Sequence, residues 1–199
     1  MMNLVEEFWF CSPVWFVDIP EINTEQIKMY CLSEETKYDG RKYSNIGGWQ
    51  GDDFILNTLP VFDELNNVIK ICLKELELKY DIKENCEFYA DNSWININRY
   101  KDYNKSHFHR FSVLSSVFYV DVTDESSVIT FETPNILQSS FEDPSYFNHR
   151  SGLTLTEISY PAQNNRLIFF PSWLKHRVAP NMSNNPRISI ATNYGIRLR

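Results

Sequence analysis

Two stretches of strict alternation constrain this 199-residue chain more than anything else in it. In residues 94–100, Trp94, Asn96, Asn98 and Tyr100 fall on one side of an extended segment, and Ile95 and Ile97 fall on the other. In residues 187–193, Arg187, Ser189, Ala191 and Asn193 alternate with Ile188, Ile190 and Thr192. Side chains of a strand point to opposite faces with period two. Each segment therefore carries one apolar and one polar face. A polar face suits a barrel of two packed sheets, where it can line an enclosed ligand cavity. The other reading of Asn96 and Asn98 is that their carboxamides bond to a sheet edge or a turn.

Three of the four histidines belong to the same half of the chain: His107 and His109 around Phe108, and His176. On a strand His107 and His109 share a face, and Phe108 points the opposite way into apolar packing. Two such imidazoles can hold one metal ion. A third ligand from a distant strand completes one face of an octahedron and leaves three positions open, as in non-haem Fe(II) oxygenases, which generally use two histidines and a carboxylate. Arg187 follows His176 by eleven residues, on the next predicted strand. Its guanidinium fork can take a carboxylate through two parallel bonds. A His-x-His pair alone is weak evidence, since chance pairs in strands are common. His149 stands apart in a polar segment and reads as solvent-facing.

Several further blocks occur in fixed order: Ser44-Asn45, Gly47-Gly48-Trp49-Gln50, Trp94-x-Asn96-x-Asn98, His107-x-His109, Leu114-Ser115-x-Val117-x-Tyr119-Val120, Phe170–Asn181 and Arg187-x-Ser189-Ile190. With this order and spacing the chain resembles the 2-oxoglutarate/Fe(II)-dependent dioxygenases of bacteria and bacteriophages, over residues 44 to about 195. The resemblance implies a double-stranded β-helix, the cupin-like jelly roll. It implies Fe(II) on His107, His109 and His176, with 2-oxoglutarate and O₂ as cosubstrates. It implies that Arg187, assisted by Ser189 and Tyr119, holds the distal carboxylate of 2-oxoglutarate; the alternative for Tyr119 is a plain core tyrosine. Asn98-Arg99-Tyr100 is similar to the Asn-x-Tyr lead-in of dioxygenases that demethylate bases, which implies contacts of Asn98 and Tyr100 with 2-oxoglutarate. No catalytic residue beyond the metal centre is implied. The reaction would be hydroxylation of an unactivated C–H bond coupled to decarboxylation of 2-oxoglutarate to succinate and CO₂.

The wider superfamily has Asp or Glu where this chain has His109. A third neutral ligand leaves the site one charge more positive and could favour Zn²⁺ or Ni²⁺. Asp102, Asp121 and Glu132 are the nearby carboxylates that could enter the sphere. Two alternatives stand beside the main reading: a three-histidine cupin-like dioxygenase that does not use 2-oxoglutarate, and a non-catalytic jelly roll that binds metal or ligand.

The N-terminal stretch has a different rhythm. Residues 8–19 are aromatic and include Pro13, which suits a short strand at a sheet edge. Residues 23–38 start a helix, with Asn23 as cap, Gln26 three residues on, and Ile22 placed to pack on Ile27. Residues 40–53 are glycine-rich and read as a loop, in which Trp49 either walls the pocket or anchors the loop to the core. Leu59, Phe62, Leu65, Ile69, Cys72, Leu73 and Leu76 recur at helical spacing, which predicts a helix over 59–79 bracing the outside of a sheet. Strands are expected from residue 86, at 94–100, 113–122, 127–131, 166–171 and 187–193. The long polar segment 132–164 is expected to be a mobile lid on the substrate side, with one short strand at 153–159. The chain is thus expected to be mainly β with flanking helices, a single domain over residues 1–199, helical in its N-terminal region (residues 1–80) and with a barrel core over residues 86–199.

Composition narrows the partners. A net charge of −7 argues against nucleic acid. The first residues lack a basic n-region, and no apolar run approaches the roughly 20 residues of a membrane span, so a cytoplasmic protein is expected, in host cytoplasm if phage-encoded. Cys11, Cys31, Cys72 and Cys86 form no CxxC pair and read as reduced thiols. The expected substrate is a small molecule or a protein side chain, and the expected assembly at most a homodimer.

Overall fold

A computed structural model of the chain describes residues 5–123, 127–135 and 143–199. Its strands are β1 (Trp15–Asp18), β2 (Asn45–Ile46), β3 (Trp49–Gln50), β4 (Cys86–Asn98), β5 (Tyr103–His107), β6 (Leu114–Asp121), β7 (Val128–Glu132), β8 (Glu157–Pro161), β9 (Arg166–Pro171), β10 (His176–Val178) and β11 (Arg187–Leu198). Its α-helices are α1 (Thr24–Glu35) and α2 (Asp63–Lys79).

The strands form two antiparallel sheets. One has six strands in the order β1-β9-β6-β11-β4-β3, the other five in the order β2-β5-β10-β7-β8. From β4 to β11 the chain passes from one sheet to the other at each step, except at the β7–β8 pair, and so makes a double-stranded β-helix. The alternation read from the sequence decides which face is which. Ile95, Ile97, Ile188, Ile190 and Phe118 pack outward under the helices, in one cluster with Ile27, Leu65, Ile69 and Leu73. Val117, Tyr119, Ile168 and Phe170 point inward and meet Ile129, Phe131 and Leu174 of the smaller sheet's side.

Both helices start as their sequences direct. The side chain of Asn23 accepts the Glu25 N–H at 3.1 Å, which satisfies one orphan donor of α1. Pro60 opens a 3₁₀ turn, Pro60–Phe62, that leads into α2. Along α2, Leu65, Ile69, Leu73 and Leu76 form the buried stripe. Glu77 is buried too. It accepts the Phe88 N–H at 3.0 Å and pairs with Lys74 and Arg199 at 2.9 Å each, so its charge is matched.

Two expectations change in detail. The segment 40–53 contains two short strands that join different sheets, β2 pairing with β5 and β3 with β4, and between them Gly47 and Gly48 stand at φ 66° and 61°, a left-handed conformation that favours glycine. Trp49 anchors the segment: the ring lies in the outer core, and Nε1 donates to the Tyr38 carbonyl at 3.1 Å. The short strand expected at 153–159 lies instead at Glu157–Pro161, at the edge of the smaller sheet, where a proline costs no ladder bond. Of the expected lid, residues 136–142 lie outside the described residues.

Candidate metal centre and cosubstrate pocket

The pairing of β5 with β10 sets His176 opposite His107, with ring centroids 4.3 Å apart. His109 lies beyond the end of β5. Its N–H donates to the Ser172 carbonyl at 2.9 Å, tying it to the turn before β10. Its ring then sits 5.2 Å from each of the other two imidazoles. One nitrogen of each ring falls within 4.8 Å of the others. The Nδ1 atoms of His107 and His176 lie 2.7 Å from the Lys105 carbonyl and 2.9 Å from the Leu174 carbonyl. Those bonds fix the tautomer and turn both Nε2 lone pairs towards the cluster. The ring of His109 has no such tether among the described residues and is held by packing, with Trp94 at 5.4 Å and Phe170 at 6.4 Å.

Burial keeps all three rings neutral, which is the form that ligates. The pKa of His109 falls to about 3, first through desolvation and then through His107. His176 is held well below the usual value by desolvation and by the other two histidines. His107 is lowered by desolvation, against the bond to Lys105. No carboxylate joins the cluster among the described residues. Asp102 accepts the Arg99 N–H, Asp121 pairs with Lys28 at 2.8 Å, and Glu132 is held by Ser106, Lys175 and Arg177.

The cluster opens on a cavity of about 770 Å³ between the sheets. Register places Arg187 beside Asn98, and Ser189 between Asn96 and Tyr119. Arg187 is 2% exposed, and its Nη1 donates to Ser127 Oγ and to the Ala179 carbonyl, both at 2.9 Å. Beside it the Tyr119 hydroxyl is buried without a hydrogen-bond partner among the described residues. Burial pushes that phenol up to about 12, with Arg187 acting in the opposite direction. These residues fit the group they would hold. Three neutral nitrogens within 4.8 Å of one another suit a metal ion, and a phenol without a partner among the described residues, beside a guanidinium fork, can donate to a carboxylate.

Asn98, Tyr119, Arg187 and Ser189 thus line one cavity with His107, His109 and His176. Tyr100 does not join them. It lies after the end of β4, 49% exposed, under the Lys101 ammonium. Phe108 corrects the expectation of inward apolar packing: β5 ends at His107, alternation stops, and Phe108 lines the cavity mouth, 46% exposed, with Arg110 over its ring. His149 is exposed, away from the cluster. Gln50, Asn104 and Trp94 also line the cavity. A strand of two residues offers no periodicity, so no signal in the sequence placed Gln50 in the cavity.

Fold and centre together define a non-haem iron oxygenase of the jelly-roll type. The profile of the family described as "Putative 2OG-Fe(II) oxygenase" matches residues 92–193, more than half of the chain. The chain belongs to that family, and is a 2-oxoglutarate/Fe(II)-dependent oxygenase. No curated protein matches its sequence. Among solved structures, a prolyl-4-hydroxylase of Pseudomonas putida superposes with TM-score 0.62 at 13% identity, over 94% of this chain and 92% of that one. The viral collagen prolyl hydroxylase of Paramecium bursaria Chlorella virus-1, solved with 2-oxoglutarate, gives 0.58 at 11% identity over 94% and 96%. A prolyl hydroxylase of Trichoplax adhaerens, in complex with a hypoxia inducible factor peptide fragment, gives 0.61 at 10% identity over 92% and 83%. At such identities the likeness is one of fold. No described helix is long and apolar enough to cross a membrane.

Proposed function

We propose that His107, His109 and His176 hold Fe(II), that Arg187 with Tyr119 and Ser189 binds the distal carboxylate of 2-oxoglutarate, and that Asn98 lines the same cosubstrate pocket. The observation that carries this reading is the shared cavity: the three imidazoles and the buried Arg187–Tyr119 pair face one space. Bound there, Fe(II) supplies the coupled oxidation of 2-oxoglutarate and of substrate by O₂. The chain's own role is to orient and to exclude water. Backbone carbonyls aim His107 and His176, Trp94 and Phe170 hold the ring of His109, and Ser127 and Ala179 steady the guanidinium. A cupin-like oxygenase without 2-oxoglutarate would have no use for a buried arginine in the cavity.

The outcome is hydroxylation of a C–H bond in a small molecule or a protein side chain, carried out by a single domain over residues 1–199 in the cytoplasm. The hydroxylases among the similar folds support this assignment. Anaerobic addition of Fe(II) and 2-oxoglutarate tests it: chelation produces a metal-to-ligand charge-transfer band in the visible. The reading fails if no band forms with the folded protein, or if the band is unchanged in His107→Ala.

A further inference from the structure

The Gly47-Gly48-Trp49-Gln50 block has a use that the metal and cosubstrate do not absorb. The left-handed glycine turn brings β3 tight against β4: a Cβ on Gly48 would lie 2.9 Å from Asn98 Nδ2. Trp49 goes to the outer core, so Gln50 must face the cavity. There the register sets it directly beside Asn96 of β4. Gln50 is 6% exposed and Asn96 9%. Neither carboxamide makes a hydrogen bond to another described residue, whereas two buried asparagines nearby are tied down: Asn45 bonds to the Tyr43 N–H and to three carbonyls, and Asn104 to Ser44 Oγ. Two carboxamides in adjacent register, left without a protein partner among the described residues and facing one cavity, keep their donors and acceptors available to a ligand.

The chemistry of the ligand follows from what surrounds the pair. Arg187 is tethered to Ser127 and Ala179, next to β7 and β10, so the cation and its carboxylate lie towards that side of the cavity. Gln50 sits on the edge strand β3, one strand further from β11, and Asn96 stands between Gln50 and Ser189 in register. The charged residues Asp53, Lys105 and Arg110 also line the cavity, but none is a register neighbour of the pair, and Asp53 is matched by Arg41 at 3.0 Å. Two neutral groups, each with a donor and an acceptor in one plane, match another planar amide. We propose that Gln50 and Asn96 form a substrate subsite that binds a neutral amide, either a peptide bond or a free carboxamide, beside the metal centre. The proposal rests on the metal and cosubstrate assignment made above.

The test uses the full chain loaded with Co(II) and 2-oxoglutarate, without O₂. The probes are N-methylacetamide, which stands for a peptide bond, isobutyramide for a primary carboxamide, and isobutyrate and isobutylammonium as charged molecules of similar shape. Proton relaxation by Co(II) reports binding close to the metal. At least one of the two amides is expected to be relaxed and the charged molecules not, and the amide that binds tighter identifies the source. Gln50→Leu and Asn96→Leu should each weaken amide binding about tenfold, the scale of one neutral hydrogen bond, while affinity for 2-oxoglutarate is kept. Asn96→Asp, which keeps the shape, guards against misfolding and should shift preference from amide towards isobutylammonium. The subsite is overturned if amides bind no better than the charged probes, if the leucine variants bind them equally well, or if those variants lose 2-oxoglutarate instead. Failure of wild type to bind Co(II) and 2-oxoglutarate at all overturns the underlying assignment, and the two failures are told apart in the same samples.

Discussion

Tyr119→Phe should strengthen the empty protein and weaken its grip on the cosubstrate. The Tyr119 ring is 1% exposed and packs with Ile168 and Phe170 inside the barrel. Phenylalanine keeps that packing and removes only a hydroxyl that has no hydrogen-bond partner among the described residues. An unsatisfied buried polar group costs about 1–3 kcal/mol, so the variant without ligand should gain roughly that much. For a domain of about this size that is on the order of 2–4 °C in Tm per kcal/mol. With 2-oxoglutarate the sign reverses. A hydrogen bond to a carboxylate is worth about 1.5–3 kcal/mol, so affinity should fall roughly 10- to 100-fold. Thermal melting of the apoprotein and calorimetric titration of 2-oxoglutarate into the Co(II) form measure the two halves. A variant that melts lower, or that binds 2-oxoglutarate as tightly as wild type, refutes the reasoning that the phenol waits for a carboxylate.

Other outcomes follow from the same geometry. Arg187→Lys keeps the charge but loses the fork and the paired contacts of Nη1 with Ser127 and Ala179, so 2-oxoglutarate affinity, read by calorimetry, should fall by about 1.5–3 kcal/mol. Gly48→Ala forces a left-handed residue against Asn98 and should cost about 1–2 kcal/mol in urea unfolding, with weaker 2-oxoglutarate binding. The three histidines have pKa values lowered in the fold, so the unfolded chain takes up more protons as acid is added. Their contribution is therefore fully present above the ordinary value of 6.5 and lost as pH falls below it, by up to roughly 1.4 kcal/mol per pH unit per imidazole. Urea titrations of the apoprotein at neutral and mildly acid pH should show that slope, and His109→Asn should flatten it.

Local pattern made much of this protein legible. The stripe Leu65, Ile69, Leu73 and Leu76 encodes α2, and the alternation through Asn96 and Asn98 encodes an inner polar face, because each depends only on residues close in sequence. The pairing of Arg187 with Asn98, and of His176 with His107, joins residues far apart in the chain and had to come from the motif order instead. Alternation misled where strands end. It put Phe108 in the core and Tyr100 in the pocket, but β5 stops at His107 and β4 at Asn98, and beyond those ends the chain follows its turns. Strands β2 and β3 were hidden for a related reason: with two residues each they have no periodicity to read, and glycine content spoke only of a loop.

The central claim is a three-histidine iron site, and His109 decides it, since this ring stands where a carboxylate is usual and packs against Trp94. The most direct measurement is anaerobic calorimetric titration of Fe(II) into wild type, His109→Ala and His109→Asp. The account predicts that His109→Ala binds far more weakly while His109→Asp, which supplies an anionic ligand at the same position, retains the metal. Binding by His109→Ala as tight as by wild type would contradict it and leave His109 a bystander.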